Sequence, residues 1–220
     1  GDAGYGLTLD WTLPQGSSTG AMQFPVPQTL VIQGLMNHVY EHDYAVLVPF
    51  RVPVGAVQGT TLPITVKAQW LACTDAICVP ERAELQGTVT IGSGAKDARF
   101  EAWRAALPAP LGAHAHYAIE GGKIRLAIPF PASGQIEAPH FFAATDKSVA
   151  HAAQQSFARK GDTLIVTLTP APPRSFTELT GVLRLPRAGD GVEITATAGP
   201  VPTGGEPLAQ KECLALLTAL

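Results

Sequence analysis

The chain has 220 residues, of which 46% are hydrophobic and 15% charged, so it is too apolar for disorder and long enough for one or two globular domains. Its net charge of −3 leaves no basic face, and neither nucleic acid nor an anionic membrane surface is an expected partner. The 22 glycines and 19 prolines separate short apolar runs, which predicts an all-β fold built from sandwich domains.

The first part of the chain alternates apolar runs with turn residues. Trp11 ends one run and is predicted to be a core residue on a strand. Residues 24–27 (FPVP) are expected to be extended, because a residue before proline avoids the helical region. Residues 34–44 have no clear period and predict a loop or a frayed edge strand. Residues 45–53 predict a strand whose prolines suit an edge.

A predicted hairpin over residues 64–85 (ITVKAQWLACTDAICVPERAEL) is the most informative stretch. Cys73 and Cys78 lie at the two shoulders of its turn, with four residues between them. In a four-residue hairpin loop they face each other across the strands, with Cα atoms about 4.5–5.5 Å apart. Since disulfides span roughly 4.4–6.8 Å, the pair can cycle between dithiol and disulfide with little backbone movement.

Two interpretations of this pair stay open on spacing alone. One is a redox-active pair, and the other is a structural staple in a binding or adhesion module. A disulfide across so short a loop stabilises rather little, because the gain grows with loop length. No helix is predicted after the pair to lower a thiol pKa, so exchange would need the activated thiolate of a partner.

The two cysteines are expected to differ in access. Cys73 ends an apolar strand behind Trp70 and Leu71, so its side chain should turn toward the sandwich. Cys78 starts the return strand near Pro80, which removes a ladder donor and favours an exposed edge. Because access governs which sulfur is attacked, Cys78 is the expected site of a mixed disulfide.

The remainder of the chain predicts a helix and a second β-rich block. Phe100, Trp103 and Leu107 share one face of a helix over residues 96–107, with Asp97 near its start. The predicted division is a redox domain (1–94), a helical linker (95–112), a second sandwich (113–200), and a linker that could begin a membrane helix (201–220). Strands are predicted in the second sandwich at residues 123–128, 137–143, 163–168, 179–185 and 192–198.

A metal site is a weaker alternative. Met36, His38 and His42 offer ligands of the kind that copper or zinc accepts, which would suit a periplasmic copper-binding protein. No zinc-finger spacing, nucleotide loop or hydrolase elbow is present, so we expect neither a metal nor another cofactor. Cys213 precedes an apolar run and is expected to be free, without a redox role.

The hairpin resembles the N-terminal periplasmic region of the DsbD family of thiol:disulfide interchange proteins, through WLACTDAICVPE at residues 70–81. The ScsB branch, named for suppression of copper sensitivity, is the nearest. Weaker agreement comes from GDAG at 1–4, FPVP at 24–27, GLMNHVYE at 34–41 and Gly181-Val182-Leu183. In that branch a tryptophan-rich strand precedes GDAG, so the first sandwich here is expected to lack that piece.

The resemblance implies two immunoglobulin-like sandwiches acting as a protein-disulfide reductase module in the periplasm, tethered to the inner membrane. Electrons would arrive from the thioredoxin-like domain of the same membrane reductase and leave to a periplasmic thioredoxin-fold isomerase or reductase. It also implies that Cys78 forms the mixed disulfides and Cys73 resolves them.

By the same resemblance, a cap over the pair would come from the stretch that contains Leu35, Met36, His38 and Tyr40. From the residues themselves, Asp75 and Glu81 would raise the pKa of a neighbouring thiol. The position of Asp75 also suits a turn residue that bonds its own backbone.

Overall fold

A computed structural model describes residues 1–2, 4–74, 77–94, 96–172, 176–187 and 190–208. The chain divides into two compact units, Gly1–Leu107 and Pro108–Leu220. Apart from one short helix, the regular structure in the described ranges is β-strand. The all-β fold class is confirmed.

The described residues of the first unit form three small sheets. A three-stranded sheet has the order β1-β6-β7, and two-stranded sheets pair β2 with β5 and β3 with β4. The strands are β1 (Thr8–Thr12), β2 (Ser18–Thr19), β3 (Gln28–Ile32), β4 (Leu35–Val39), β5 (Phe50–Arg51), β6 (Thr61–Cys73) and β7 (Cys78–Thr90).

Strands β6 and β7 form the longest ladder of this unit, with antiparallel pairs from Thr61↔Thr90 to Cys73↔Cys78. Leu62, Val66 and Ala68 alternate along β6 and are buried, so one face of that strand packs against the rest of the unit. Trp11 lies on β1 opposite Val66 and is half-buried, which agrees with its predicted place on a strand.

Two stretches of the first unit differ from expectation. Within residues 34–44, β4 is a paired strand, joined to β3 through Gln33 and Gly34, both at positive φ. Two such residues in succession are typical of a type I′ hairpin turn. Within residues 45–53 only Phe50–Arg51 is a strand, because the flanking prolines donate no N–H.

The predicted helix is present as α1 (Ala98–Ala105). Asp97 is its N-cap and accepts a hydrogen bond from the backbone N–H of Arg99 at 2.9 Å. Hydrogen bonds from the Arg99 side chain and backbone lower the pKa of the Asp97 carboxyl. Phe100 and Trp103 pack edge to face at 5.0 Å, as their predicted shared face requires. We expected this helix in a linker, and it lies within the first compact unit.

In the part of the second unit that the structure describes, the strands form one large sheet, in the order β11-β14-β15-β9-β10-β13-β12-β16 with β8 beside β15. Four of its strands, β8, β9, β12 and β16, were not predicted. The strands are β8 (Ala109–Pro110), β9 (Ala115–Glu120), β10 (Lys123–Pro129), β11 (Phe141–Ala143), β12 (Ser156–Lys160), β13 (Thr163–Leu168), β14 (Glu178–Arg184), β15 (Gly191–Ala198) and β16 (Glu206–Pro207).

The larger buried core belongs to this second unit. Side chains that alternate along β10 and β13, together with Phe141 and Leu183, are almost fully shielded from solvent. The expected linker after residue 200 is in part folded, since Val201 is buried and β16 pairs with β12. No helix in the described ranges is long and apolar enough to span a membrane. The apolar end with Cys213 lies outside the described residues.

Candidate functional site

Cys73 and Cys78 close the β6–β7 hairpin. Cys73 is the last residue of β6, Cys78 is the first of β7, and the two are directly paired in the ladder. They form a disulfide, with Cα atoms 4.0 Å apart. The prediction that the two cysteines face each other is confirmed, at a somewhat shorter distance than expected.

The hydrogen bonds beyond the pair explain why the cysteines lie so close. Thr74 donates its N–H to the carbonyl of Ile77 at 2.8 Å, and Ile77 donates its N–H to the Thr74 hydroxyl at 3.1 Å. Since bonded and non-bonded pairs alternate in an antiparallel ladder, Cys73 and Cys78 form a non-bonded pair, in which Cα atoms approach most closely. Asp75, between these two residues, lies outside the described part of the chain.

The two cysteines differ in exposure. Cys73 is half-buried, whereas Cys78 is exposed, as are its neighbours Ile77 and Val79. Along the same face, the next pair is Leu71 with Pro80. Cys73 lies on the face of β6 opposite to the buried Leu62, Val66 and Ala68, so it does not turn toward that packed face as the sequence suggested. The assignment of Cys78 as the residue that an incoming thiolate attacks stays a prediction.

An open groove lies along the β6–β7 hairpin, and the nearest of its lining residues to Cys78 along β7 is Pro80. Its volume is about 350 Å³, and its lining residues are Tyr5, Gln69, Pro80, Glu81 and Arg82. Because side chains alternate between faces, Gln69 and Arg82 share the face of the disulfide, two pairs away from it. Sequence reasoning missed this groove.

The first residues of the chain connect the groove with the expected cap. Asp2 donates its N–H to the carbonyl of Met36 at 2.6 Å, and its carboxylate accepts the N–H of Met36 at 3.0 Å. Gly4 has a positive φ and lies close to Leu71. A Cβ added to Gly4 would be 2.9 Å from Cδ1 of Leu71. The first residues of the chain therefore extend from β4 to the cysteine hairpin. The small residues of the GDAG stretch were the signal in the sequence that could have indicated this close packing.

The expected cap residues lie on or just after β4. Leu35 and Met36 are strand residues, exposed and half-buried respectively, and they face Ile32 and Val31 of β3. His38 is also on β4, with Nδ1 3.2 Å from the amino group of Gly1. A cap role for this stretch stays a prediction.

Tyr40 has contacts that fix it in the fold. Its ring stacks on Tyr44 at 4.0 Å between centroids, and its hydroxyl donates to the carbonyl of Pro25 at 2.8 Å. Burial raises the pKa of the Tyr40 phenol, and the nearby Tyr44 raises it further. Tyr40 is therefore neutral and held by its neighbours.

Glu81 is placed less favourably for tuning a thiol than the sequence suggested. It is exposed, pairs with Trp70, and lies three residues after Cys78, so its side chain leaves the opposite face of β7. Its effect on the pKa of the Cys78 thiol stays a prediction. Within the described ranges, no group of three or more His, Cys, Asp or Glu side chains could hold a metal ion.

Comparison with known proteins finds a family similarity in the part of the chain that carries this site. No curated protein and no solved structure matches the chain. The model of the family described as "Thiol:disulfide interchange protein DsbD, N-terminal" matches residues 3–90, which include both cysteines. The almost entirely β structure is consistent with an immunoglobulin-like domain of that kind. The resemblance seen in the sequence is thus supported at the level of the DsbD N-terminal family, and residues 3–90 are similar to its thiol:disulfide interchange proteins.

Proposed function

We propose that the chain is a periplasmic thiol–disulfide exchange module that transfers electrons through Cys73 and Cys78. The observation that carries the proposal is a disulfide at the tip of a hairpin, with Cys78 exposed and Cys73 half-buried, inside a segment similar to DsbD N-terminal domains. A closed, buried staple would not leave one sulfur open to attack.

The exchange can be written with atoms and electrons in balance. A thiolate of a reduced dithiol partner attacks Sγ of Cys78, the Cys73–Cys78 bond breaks, and Cys73 leaves as a thiolate that takes up a proton. The second thiolate of the partner then attacks the partner sulfur that is bonded to Cys78. The partner thereby forms its own disulfide, and Cys78 leaves as a thiolate that is protonated in turn. Two electrons and two protons have moved from the partner to the cysteine pair.

In the next step the same chemistry runs the other way. The thiolate of Cys78 attacks the disulfide of a second protein, and Cys73 closes the ring on Cys78. We infer that the donor is the thioredoxin-like domain of a membrane-embedded reductase, to which this chain would be tethered at the inner membrane. The acceptors would be periplasmic thioredoxin-fold isomerases or reductases. Placement in the ScsB branch, with a link to copper tolerance, belongs to this proposal.

The domain roles also belong to this proposal. Residues 1–94 would be the redox domain, residues 95–112 would join it to the second sandwich, and residues 113–200 would serve as scaffold or docking surface. The reason is that both cysteines of the pair lie on the first unit, whereas the described part of the second unit holds no cysteine.

The reduction potential of the pair tests this function against a structural staple. We expect the Cys73–Cys78 couple to lie above roughly −300 mV, in the range where thioredoxin-fold proteins exchange. A Cys213→Ser variant, which leaves only this pair, would be equilibrated in glutathione or dithiothreitol buffers of known potential. Free thiols would be counted by alkylation and mass spectrometry. A potential well below that limit would identify a staple and overturn the proposal.

The cap role of β4 has its own test. If Leu35 and Met36 shield the pair, replacing both with alanine should speed oxidation of the reduced cysteines by glutathione disulfide severalfold, because access limits the attack. Val54→Ala is a suitable control, since Val54 is a fully exposed apolar residue outside this hairpin. Oxidation at the unchanged rate in the double variant would remove these residues from the site.

A further inference from the structure

We propose that the groove lined by Tyr5, Gln69, Pro80, Glu81 and Arg82 is a docking site for an extended segment of the exchange partner, with an acidic side chain of that segment paired with Arg82. The inference rests on the proposed function, since it concerns the partner of the same cysteine pair. The groove with Arg82 would then help to determine which partner binds, at a distance from the reacting sulfurs.

The register of the hairpin places Gln69, Pro80 and Arg82 of the groove on the same face as the disulfide. Cys78, Pro80 and Arg82 follow each other on one face of β7, and they lie opposite Cys73, Leu71 and Gln69 on β6. A strand rises about 3.3 Å per residue, so Arg82 lies about 13 Å from Cys78 along the strand. If an extended partner segment is disulfide-bonded to Cys78 and runs along β7, the residue four positions from the partner's cysteine would reach Arg82.

The walls of the groove suit a peptide segment. Tyr5 is 48% exposed and contributes an aromatic surface, Pro80 adds an apolar one, and the Gln69 amide can both donate to and accept from a peptide group. A volume near 350 Å³ is at the small end of the range of ligand sites, about 300–1,000 Å³, and is enough for a few side chains.

The positive charge of Arg82 favours a partner segment that carries a carboxylate. Within the described residues, Arg82 forms no ion pair and no side-chain hydrogen bond, although it is exposed on the same face of the hairpin as the disulfide. An arginine can bind a carboxylate through two parallel hydrogen bonds. Glu81, the other charged residue of the groove, leaves the opposite face of β7, so Arg82 is the charge that meets a partner held at Cys78.

Synthetic peptides test this directly. Each would carry one cysteine as a mixed disulfide with glutathione, and an aspartate or a lysine four residues before or after it. The Cys78 thiolate attacks the peptide sulfur and glutathione leaves as a thiolate. Cys73 then attacks Cys78, a Cys73–Cys78 disulfide forms, and the peptide leaves as a thiol, so two electrons pass from the protein. The rate of oxidation of the reduced protein would be measured for each peptide.

With the wild-type chain, the aspartate peptide should react about 1.5-fold to fivefold faster than the corresponding lysine peptide for one of the two positions relative to the cysteine, which is the range expected for exposed charge pairs. Arg82→Glu should reverse this preference, and Arg51→Glu, a charge reversal on β5, should leave it unchanged. Tyr5→Ala should slow both peptides and leave oxidation by free glutathione disulfide unaltered.

The outcomes separate this inference from the proposed function. An aspartate preference that persists in Arg82→Glu, or no preference in the wild type, would overturn the docking groove while exchange itself continued. A reduced protein that neither the peptides nor glutathione disulfide can oxidise would instead overturn the proposed function.

Discussion

Replacing Cys73 with serine is expected to trap a stable mixed disulfide between Cys78 and a thioredoxin-fold protein, whereas Cys78→Ser should trap very little. The physical reason is access. Cys78 is exposed at the start of β7, whereas Cys73 is half-buried at the end of β6. Without Cys73, no neighbouring thiolate can release the partner from Cys78, so the covalent complex should accumulate.

The measurement needs an acceptor that also lacks its second cysteine. Both variants would be prepared with Cys213→Ser, mixed with the acceptor as an activated disulfide, and resolved on non-reducing gels with mass spectrometry of the linked peptides. The double variant, Cys73→Ser with Cys78→Ser, sets the background. Equal trapping by the two single variants would contradict the assignment of Cys78 as the partner-linked cysteine.

Stability of the second unit should fall as the pH is lowered from about 6.5 to about 4, because of His140. Burial, then the positive charges of Arg184 and His151, lower the pKa of His140 to about 4. The folded unit therefore holds the neutral imidazole, while the unfolded chain takes up a proton below its ordinary pKa near 6.5. The stabilisation is complete above pH 6.5 and is lost toward pH 4, by about 3 kcal/mol at most.

Carboxylates also titrate in this range, so a matched variant isolates the histidine. His140→Gln keeps a polar side chain beside Gln155, whose Nε2 lies 3.5 Å from His140 Nε2, but gains no proton. Urea unfolding followed by circular dichroism at pH 7 and pH 4.5 should show a smaller loss of stability for His140→Gln than for the wild type. Identical losses would exclude His140 as the source.

The hairpin and its disulfide could be predicted because their determinants are local. A turn signal between two apolar strands sets the register, and the register alone makes Cys73 and Cys78 neighbours. The order of their exposure was also expected, but the reason given for Cys73 was wrong, since its side chain leaves the face of β6 opposite to the buried Leu62, Val66 and Ala68. The helix was equally accessible, since its period and its Asp97 cap lie within one short segment.

What could not be predicted depends on distant parts of the chain. Strand β12 (SFARK) has one large apolar residue, and pairing with β13 decides its structure. Strand β9 is short and begins with alanine and histidine, and its place is set by β10 and β15. The groove needs Tyr5 beside Arg82, residues far apart in sequence, and no local pattern reports that meeting.

The free edge of β7 has a consequence for contacts between copies of this protein. In the sheet that the described residues form, β7 has β6 as its one neighbour. Thr74 and Ile77 are hydrogen-bonded, and bonded and non-bonded pairs alternate along an antiparallel ladder. The backbone N–H and C=O groups of the non-bonded residues Cys78, Pro80 and Arg82 therefore point away from β6, except that Pro80 has no N–H. An edge of this length invites another chain to add a strand, and such growth leads to aggregation. Pro80 presents no N–H there and Arg82 adds a charge, so the stretch beside the reactive sulfur is a poor template for self-association while it stays open to a thiol partner.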